Sequence, residues 1–192
     1  MKKTLFAKLD IIAFILFVIL CLGFKCAVIK QVVYTYTLIM GIALMFRKTP
    51  KTDNSCLKYF LILPFLVLAE LLITVAIKNG LPAIYDSYTN NYHVSVGLIS
   101  NIIEATILGP IKEEYLFRYL PNKYCKNKYF YYFVAVVFFA YLHTPGLNII
   151  LILIRIPTSF LYAYSYEKTQ KLWVPVTLHI LSNFIPLIFS VI

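Results

Sequence analysis

Charge is what this sequence lacks. Of its 192 residues 14% are charged, while 61% are hydrophobic. A soluble globular domain carries about a quarter charged residues and is nearer half apolar. The deficit excludes a water-soluble fold and reads as a polytopic membrane protein. Acidic groups are scarcest: 8 Asp and Glu against 18 Lys and Arg, a net charge of +10. The basic residues do not form a patch interleaved with aromatics, so nucleic-acid binding is set aside. They fall between apolar runs instead, the pattern of the positive-inside bias. The four cysteines, Cys21, Cys26, Cys56 and Cys125, lack metal-type spacing and read as small packing residues. Low-complexity segments and internal repeats are also missing, and the length suits one bundle with no separate soluble domain.

What is present is a series of apolar runs. The expected fold is all-α, a polytopic transmembrane helical bundle of about seven spans with a site buried between helices. The spans are read at residues 11–29, 32–46, 57–77, 94–120, 129–143, 147–166 and 172–192. The first is read as retained, because no small-x-small cleavage site follows its apolar core. Pro110 is read as a kink, Thr144-Pro145-Gly146 as a tight turn, and residues 78–93 as an exterior loop. The chain divides into N-terminal helices with that loop, 1–93, and a helical core, 94–192. With the N-terminus inside, the inner loops hold twelve basic residues and the outer ones three, Lys25, Lys30 and Lys78. That asymmetry predicts a cytoplasmic N-terminus and an exterior C-terminus.

Three polar constellations interrupt the apolar runs. Glu113, Glu114 and Arg118 lie in the fourth, His143 ends the fifth, and His179 and Asn183 lie in the seventh. Charged groups inside a bilayer cost a few kcal/mol each and mark functional interiors. Counting from the inner loops at about 1.5 Å per residue puts Glu113 roughly 15 Å deep, His143 about 22 Å and Asn183 about 18 Å. Three helices thus bring these side chains to a similar depth. A carboxylate in such a pocket suits general acid or base chemistry. A neutral histidine helps hold or activate water, and an asparagine beside a histidine can donate to an oxyanion. The same Glu and His set is also able to bind a divalent metal such as zinc. Glu114 and Arg118, four apart, read as an ion pair that orients Glu113.

Plainer readings stand beside these. His143 serves equally as a helix end before the turn, and His179 with Asn183 as interhelical glue. Glu70 and Glu104 read as structural acids, with Arg155 as a partner. His93 reads as solvated.

Taken together, Glu113-Glu114-x-x-x-Arg118, Phe139-x-x-x-His143 and His179-x-x-x-Asn183 resemble the three-motif signature of the CPBP family. That family groups the type II CAAX prenyl endopeptidases with bacteriocin-processing and Abi proteins. Phe117-Arg118 and Trp173-x-Pro175 resemble bacterial members too. The resemblance covers roughly residues 109–186. It implies an intramembrane endopeptidase in which Glu113 and His143 activate water, His179 and Asn183 stabilise the oxyanion, and Glu114 and Arg118 support them. The family has been described both as glutamate proteases and as metalloproteases. The glutamate reading is favoured, and a metal, if present, would be held by Glu113, His143 and His179. Tyr119 departs from the small residue common after the arginine, which bears on substrate entry. The implied substrate is a peptide or small membrane protein, in a bacterial setting a bacteriocin-like or signalling peptide. A self-immunity protein acting by binding is the alternative. An ion relay is a further one, weakened by the missing repeats.

Overall fold

The computed structural model describes residues 2–21, 26–47, 56–81, 99–144 and 148–191, with side chains from 8 to 20 in the first stretch and up to 185 in the last. These residues form seven helical rods and no strand. They are α1 (Lys2–Cys21), α2 (Ala27–Met45), α3 (Leu57–Gly80), α4 (99–124), α5 (Lys128–Leu142), α6 (Ile149–Thr169) and α7 (Trp173–Val191). Of these, α2, α3 and α6 are long and apolar enough to cross a membrane by length and composition.

The boundaries shift where apolar residues carry no start or stop signal. The run read as one span to residue 29 divides, since α1 ends at Cys21 and α2 starts at Ala27 after an extended Cys26. At the other end of the chain, α6 continues to Thr169, where Gln170 takes the left-handed conformation (φ 52) that closes helices. The expected exterior loop beyond Leu81, His93 within it, Pro145 and Gly146 lie outside the described residues. Cys26, Cys56 and Cys125 are free thiols.

Apolar packing places α4 at the centre. Tyr115, Leu116 and Phe117 are at most 1% exposed and pack with Val134 and Phe139 of α5 and Val176 of α7. A second cluster joins Leu63 and Val67 of α3 to Leu161 and Tyr162 of α6 and Leu178 of α7. The outer face of α3 stays bare, with Phe65 74% and Leu61 61% exposed. A bilayer, not water, is the solvent such a face requires. On its other side α4 meets α2 at Gly41, where an added Cβ would stand 2.9 Å from the Ile111 carbonyl oxygen. Only a glycine permits that approach, two residues before Glu113.

α1 is tied to this core by one buried carboxylate. Asp10, 1% exposed, accepts hydrogen bonds from Tyr36 (2.8 Å), Tyr115, Lys123 (2.7 Å) and Tyr124 (2.9 Å). Four donors on two oxygens satisfy a group that would otherwise be costly to bury. Asp10→Asn is expected to lower stability by about 2 kcal/mol, because the amide faces donors that need an acceptor. Detergent-solubilised thermal unfolding measures this, and an unchanged midpoint would show the hub to be dispensable.

Candidate active site

The geometry of α4 follows from its glycine and prolines. The rod is helical throughout, but residues Glu104–Leu108 and Tyr115–Tyr119 are wound as π-turns. Such turns insert one residue into the helical register and concentrate at functional sites. In the first, the Gly109 N–H reaches back to the Glu104 carbonyl. A Cβ on Gly109 would sit 2.9 Å from that oxygen, so the turn requires glycine there. The next nitrogen belongs to Pro110 and has no hydrogen to give. In that register the carbonyl of Ala105 is left over. The Asn183 side-chain amide supplies the missing donor at 3.1 Å. Pro110, read from the sequence as a kink, instead creates the acceptor that docks α7.

Between the π-turns stand the two acids. Glu114 is completely buried, as is Arg118, and their N–O separation is 3.1 Å. The contact is an ion pair without hydrogen-bond alignment, and the guanidinium finds no other hydrogen-bond partner among the described residues. It stacks instead over the Phe139 ring, 4.0 Å from its centroid. The other Glu114 oxygen accepts from His179 Nδ1 at 2.8 Å. The pair expected between Glu114 and Arg118 therefore forms, but the group it orients directly is His179, not Glu113. The cause is the register of α7, which brings His179 against the buried acid.

Glu113 points elsewhere. Its Oε2 lies 3.4 Å from His143 Nε2 and 3.8 Å from His179 Nε2. His143 is the C-cap of α5, as the helix-end reading expects, and its ring also reaches Glu113. Its Nδ1 lies 2.8 Å from the Phe139 carbonyl oxygen. A carbonyl oxygen only accepts, so Nδ1 carries the hydrogen. His179 Nδ1 is committed likewise to Glu114. Both Nε2 atoms therefore approach one carboxylate oxygen as acceptors in the neutral rings, and a proton or a donor such as water must reconcile them. At 26% and 24% exposure the Glu113 and His143 side chains are the open members of the group, against 8% for His179.

The structure thus brings Glu113, Glu114, Arg118, His143 and His179 into contact. Asn183 adjoins through Ala105. Glu104 pairs with Lys112, which also sits over the Tyr34 ring. Glu70 accepts from Thr158 and feels the charge of Arg155. Tyr119 stacks on Tyr115 at 5.4 Å, with Lys123 over its ring. It belongs to the Asp10 side of α4 rather than to the opening at Glu113. Among the described residues, no set of three or more His, Cys, Asp or Glu donors is arranged to hold a metal ion. Glu113 Oε2 stands 3.4 and 3.8 Å from the two Nε2 atoms, a spacing that suits a bridging water and a shared divalent cation alike.

One participant escaped sequence reasoning. Tyr162 of α6 stacks on His179, with centroids 5.0 Å apart and planes at 18°. Its hydroxyl bonds Ser182, whose own hydroxyl donates to the His179 carbonyl at 2.9 Å. The Arg118 guanidinium lies 5.5 Å from the same ring. Tyr162 is one of 16 tyrosines, and no spacing distinguishes it.

Residues 95–185 match the family model described as type II CAAX prenyl endopeptidase Rce1-like. A Bacillus subtilis (strain 168) protein named "Putative membrane peptidase YdiL" is 31% identical over 85 residues, 43% of this chain and 34% of that protein. The chain thus matches about a third of the length of this curated relative. No solved structure matches.

Proposed function

With residues 95–185 a CPBP-family segment of the Rce1-like type, we propose that this protein is an intramembrane endopeptidase that cleaves a peptide or small membrane protein by water attack. The observation that carries the reading is the approach of His143 Nε2 and His179 Nε2 to one oxygen of Glu113, at 3.4 and 3.8 Å. A water in that space donates one hydrogen to Glu113 and the other to His143. A lone pair on its oxygen then faces the scissile carbonyl carbon. Glu113 takes the proton as general base and returns it to the departing amine. His179 differs from His143 because a carboxylate, not a neutral carbonyl, stands behind its Nδ1. Glu114 thus fixes the ring with Nε2 turned toward Glu113 and the reacting carbonyl, as the carboxylate orients the histidine of a Ser-His-Asp triad. A proton on that nitrogen is what lets it donate to the oxyanion. The second amide hydrogen of Asn183 is the other candidate donor, held in place by the Ala105 bond. Every step here is written on the chain's own residues; a divalent metal held by Glu113, His143 and His179 would polarise the same water.

The test compares membrane and secreted peptides by mass spectrometry from bacterial cells carrying wild-type protein or Glu113→Gln at matched levels. A peptide shortened only with wild type identifies the substrate. Equal peptide pools, with the native neighbouring genes also expressed, would replace proteolysis by a binding role such as immunity. In a purified assay a zinc chelator is expected to leave the rate unchanged. Loss of activity that added zinc restores would overturn the glutamate scheme.

Tyr162 acts in this scheme as a positioning residue. Tyr162→Leu removes the ring that fixes His179 and is expected to lower kcat roughly tenfold, since small displacements at a reacting group are costly. Tyr162→Phe keeps the stack and is expected to restore most of that rate. Equal losses in both variants would assign the effect to the hydroxyl instead.

A further inference from the structure

Outside this site, α3 and α6 leave between them a groove of about 450 Å³. That is within the roughly 300–1,000 Å³ of small-molecule sites. Its walls are Ile62 and Leu66 on one helix and Pro157 and Leu161 on the other. Its polar end is closed by Tyr59 and Tyr164, whose rings are 6.2 Å apart. From Lys58 to Leu66 the groove follows about 12 Å of helix, close to one leaflet of a hydrocarbon core some 30 Å thick.

Basic residues gather at that end, while beyond Leu66 and Pro157 the opposite charges of Glu70 and Arg155 interact between the same two helices. Lys58 lies 5.2 Å from the centre of the Tyr59 ring, and Lys168 lies 5.4 Å from that of Tyr164. Lys128 stands behind them, 2.9 Å from Glu167, and Glu167 is 3.9 Å from Lys168. These described residues contribute three cations and one anion to the rim. Because α3 begins and α6 ends here, the lysines share one membrane level. A peptide laid in this groove would bring backbone N–H and C=O groups against walls that offer carbon only. An acyl chain brings none.

We propose that this groove is a specific site for an anionic phospholipid, with one acyl chain between α3 and α6 and the phosphate between Lys58 and Lys168. The proposal is independent of the proteolytic reading, since neither lysine contacts the Glu113 cluster. It is tested on the purified full chain by native mass spectrometry, titrating phosphatidylglycerol or phosphatidylcholine of equal chain length. One phosphatidylglycerol is expected to bind roughly tenfold or more tighter than phosphatidylcholine, two lysines near an anionic group being worth about fivefold each. Lys58→Gln with Lys168→Gln is expected to abolish that preference while weak binding of both lipids remains. Ile62→Trp, which fills the groove, is expected to displace both lipids. These substitutions are at lipid-facing or exposed positions, and an unchanged melting profile confirms the fold. Equal binding of the two lipids by wild type, or a preference that survives all three substitutions, would mean annular lipid only and overturn the site.

Discussion

Arg118→Ala is expected to destabilise the protein by roughly 3–5 kcal/mol, enough to leave little folded material. Arg118 and Glu114 are both fully buried, and each is the other's compensating charge. Removing the guanidinium leaves a carboxylate in the core with only the His179 ring against it. It also empties the space over Phe139 and beside Tyr162 that the guanidinium fills. Lysine is a poor replacement, because a point charge cannot lie flat on the Phe139 ring while reaching Glu114. Removing both charges, as Glu114→Gln with Arg118→Met, is expected to recover part of the stability but not the activity, since His179 loses its carboxylate. The readout is unfolding in detergent followed by the fluorescence of Trp173, the single tryptophan, which stacks on Phe60. An Arg118→Ala protein that melts like wild type and stays fully active would remove the supporting role from this pair.

Glu113→Gln is expected to do the reverse, leaving the fold intact and reducing kcat by about 10³, within the 10²–10⁴ that a positioned acid or base supplies. The side chain is partly open at 26% exposure. The amide is isosteric, and no buried ion pair depends on Glu113. Substrate binding should persist, so KM changes little while kcat collapses. The variant should therefore trap bound substrate, which makes it the better bait for pull-down. Activity within tenfold of wild type would reassign the base.

The acids and histidines were legible because ionisable residues are rare in apolar runs and stand out by type alone. Their convergence followed from counting helical rise, which is insensitive to local winding. Winding itself was not legible. The π-turn at 104–108 depends on Gly109, on Pro110 and on the Asn183 amide more than seventy residues away, and the one at 115–119 carries no such mark in the sequence. Spacing arithmetic at 3.6 residues per turn therefore assigned the right Glu114–Arg118 pair but missed that its target is His179. Asp10 was hidden for another reason. It stands among lysines at the start of the chain, where a charge reads as solvated, and three of its four donors lie on α4 and arrive only with tertiary structure. The three motifs show the ionisable residues that meet, while the groups that hold them are ordinary tyrosines, glycines and prolines.

The Asp10 hub has a consequence for how the chain is made. Tyr115 follows Asp10 by 105 positions, which a ribosome covers in roughly 5–20 s at about 5–20 residues per second. Through that interval α1 is already synthesised, yet its carboxylate has only Tyr36 to meet. α1 is thus made long before it is locked. In a nascent chain arrested before residue 115 the Asp10 carboxylate should react with a carbodiimide, and in one arrested after residue 124 has emerged from the ribosome it should not.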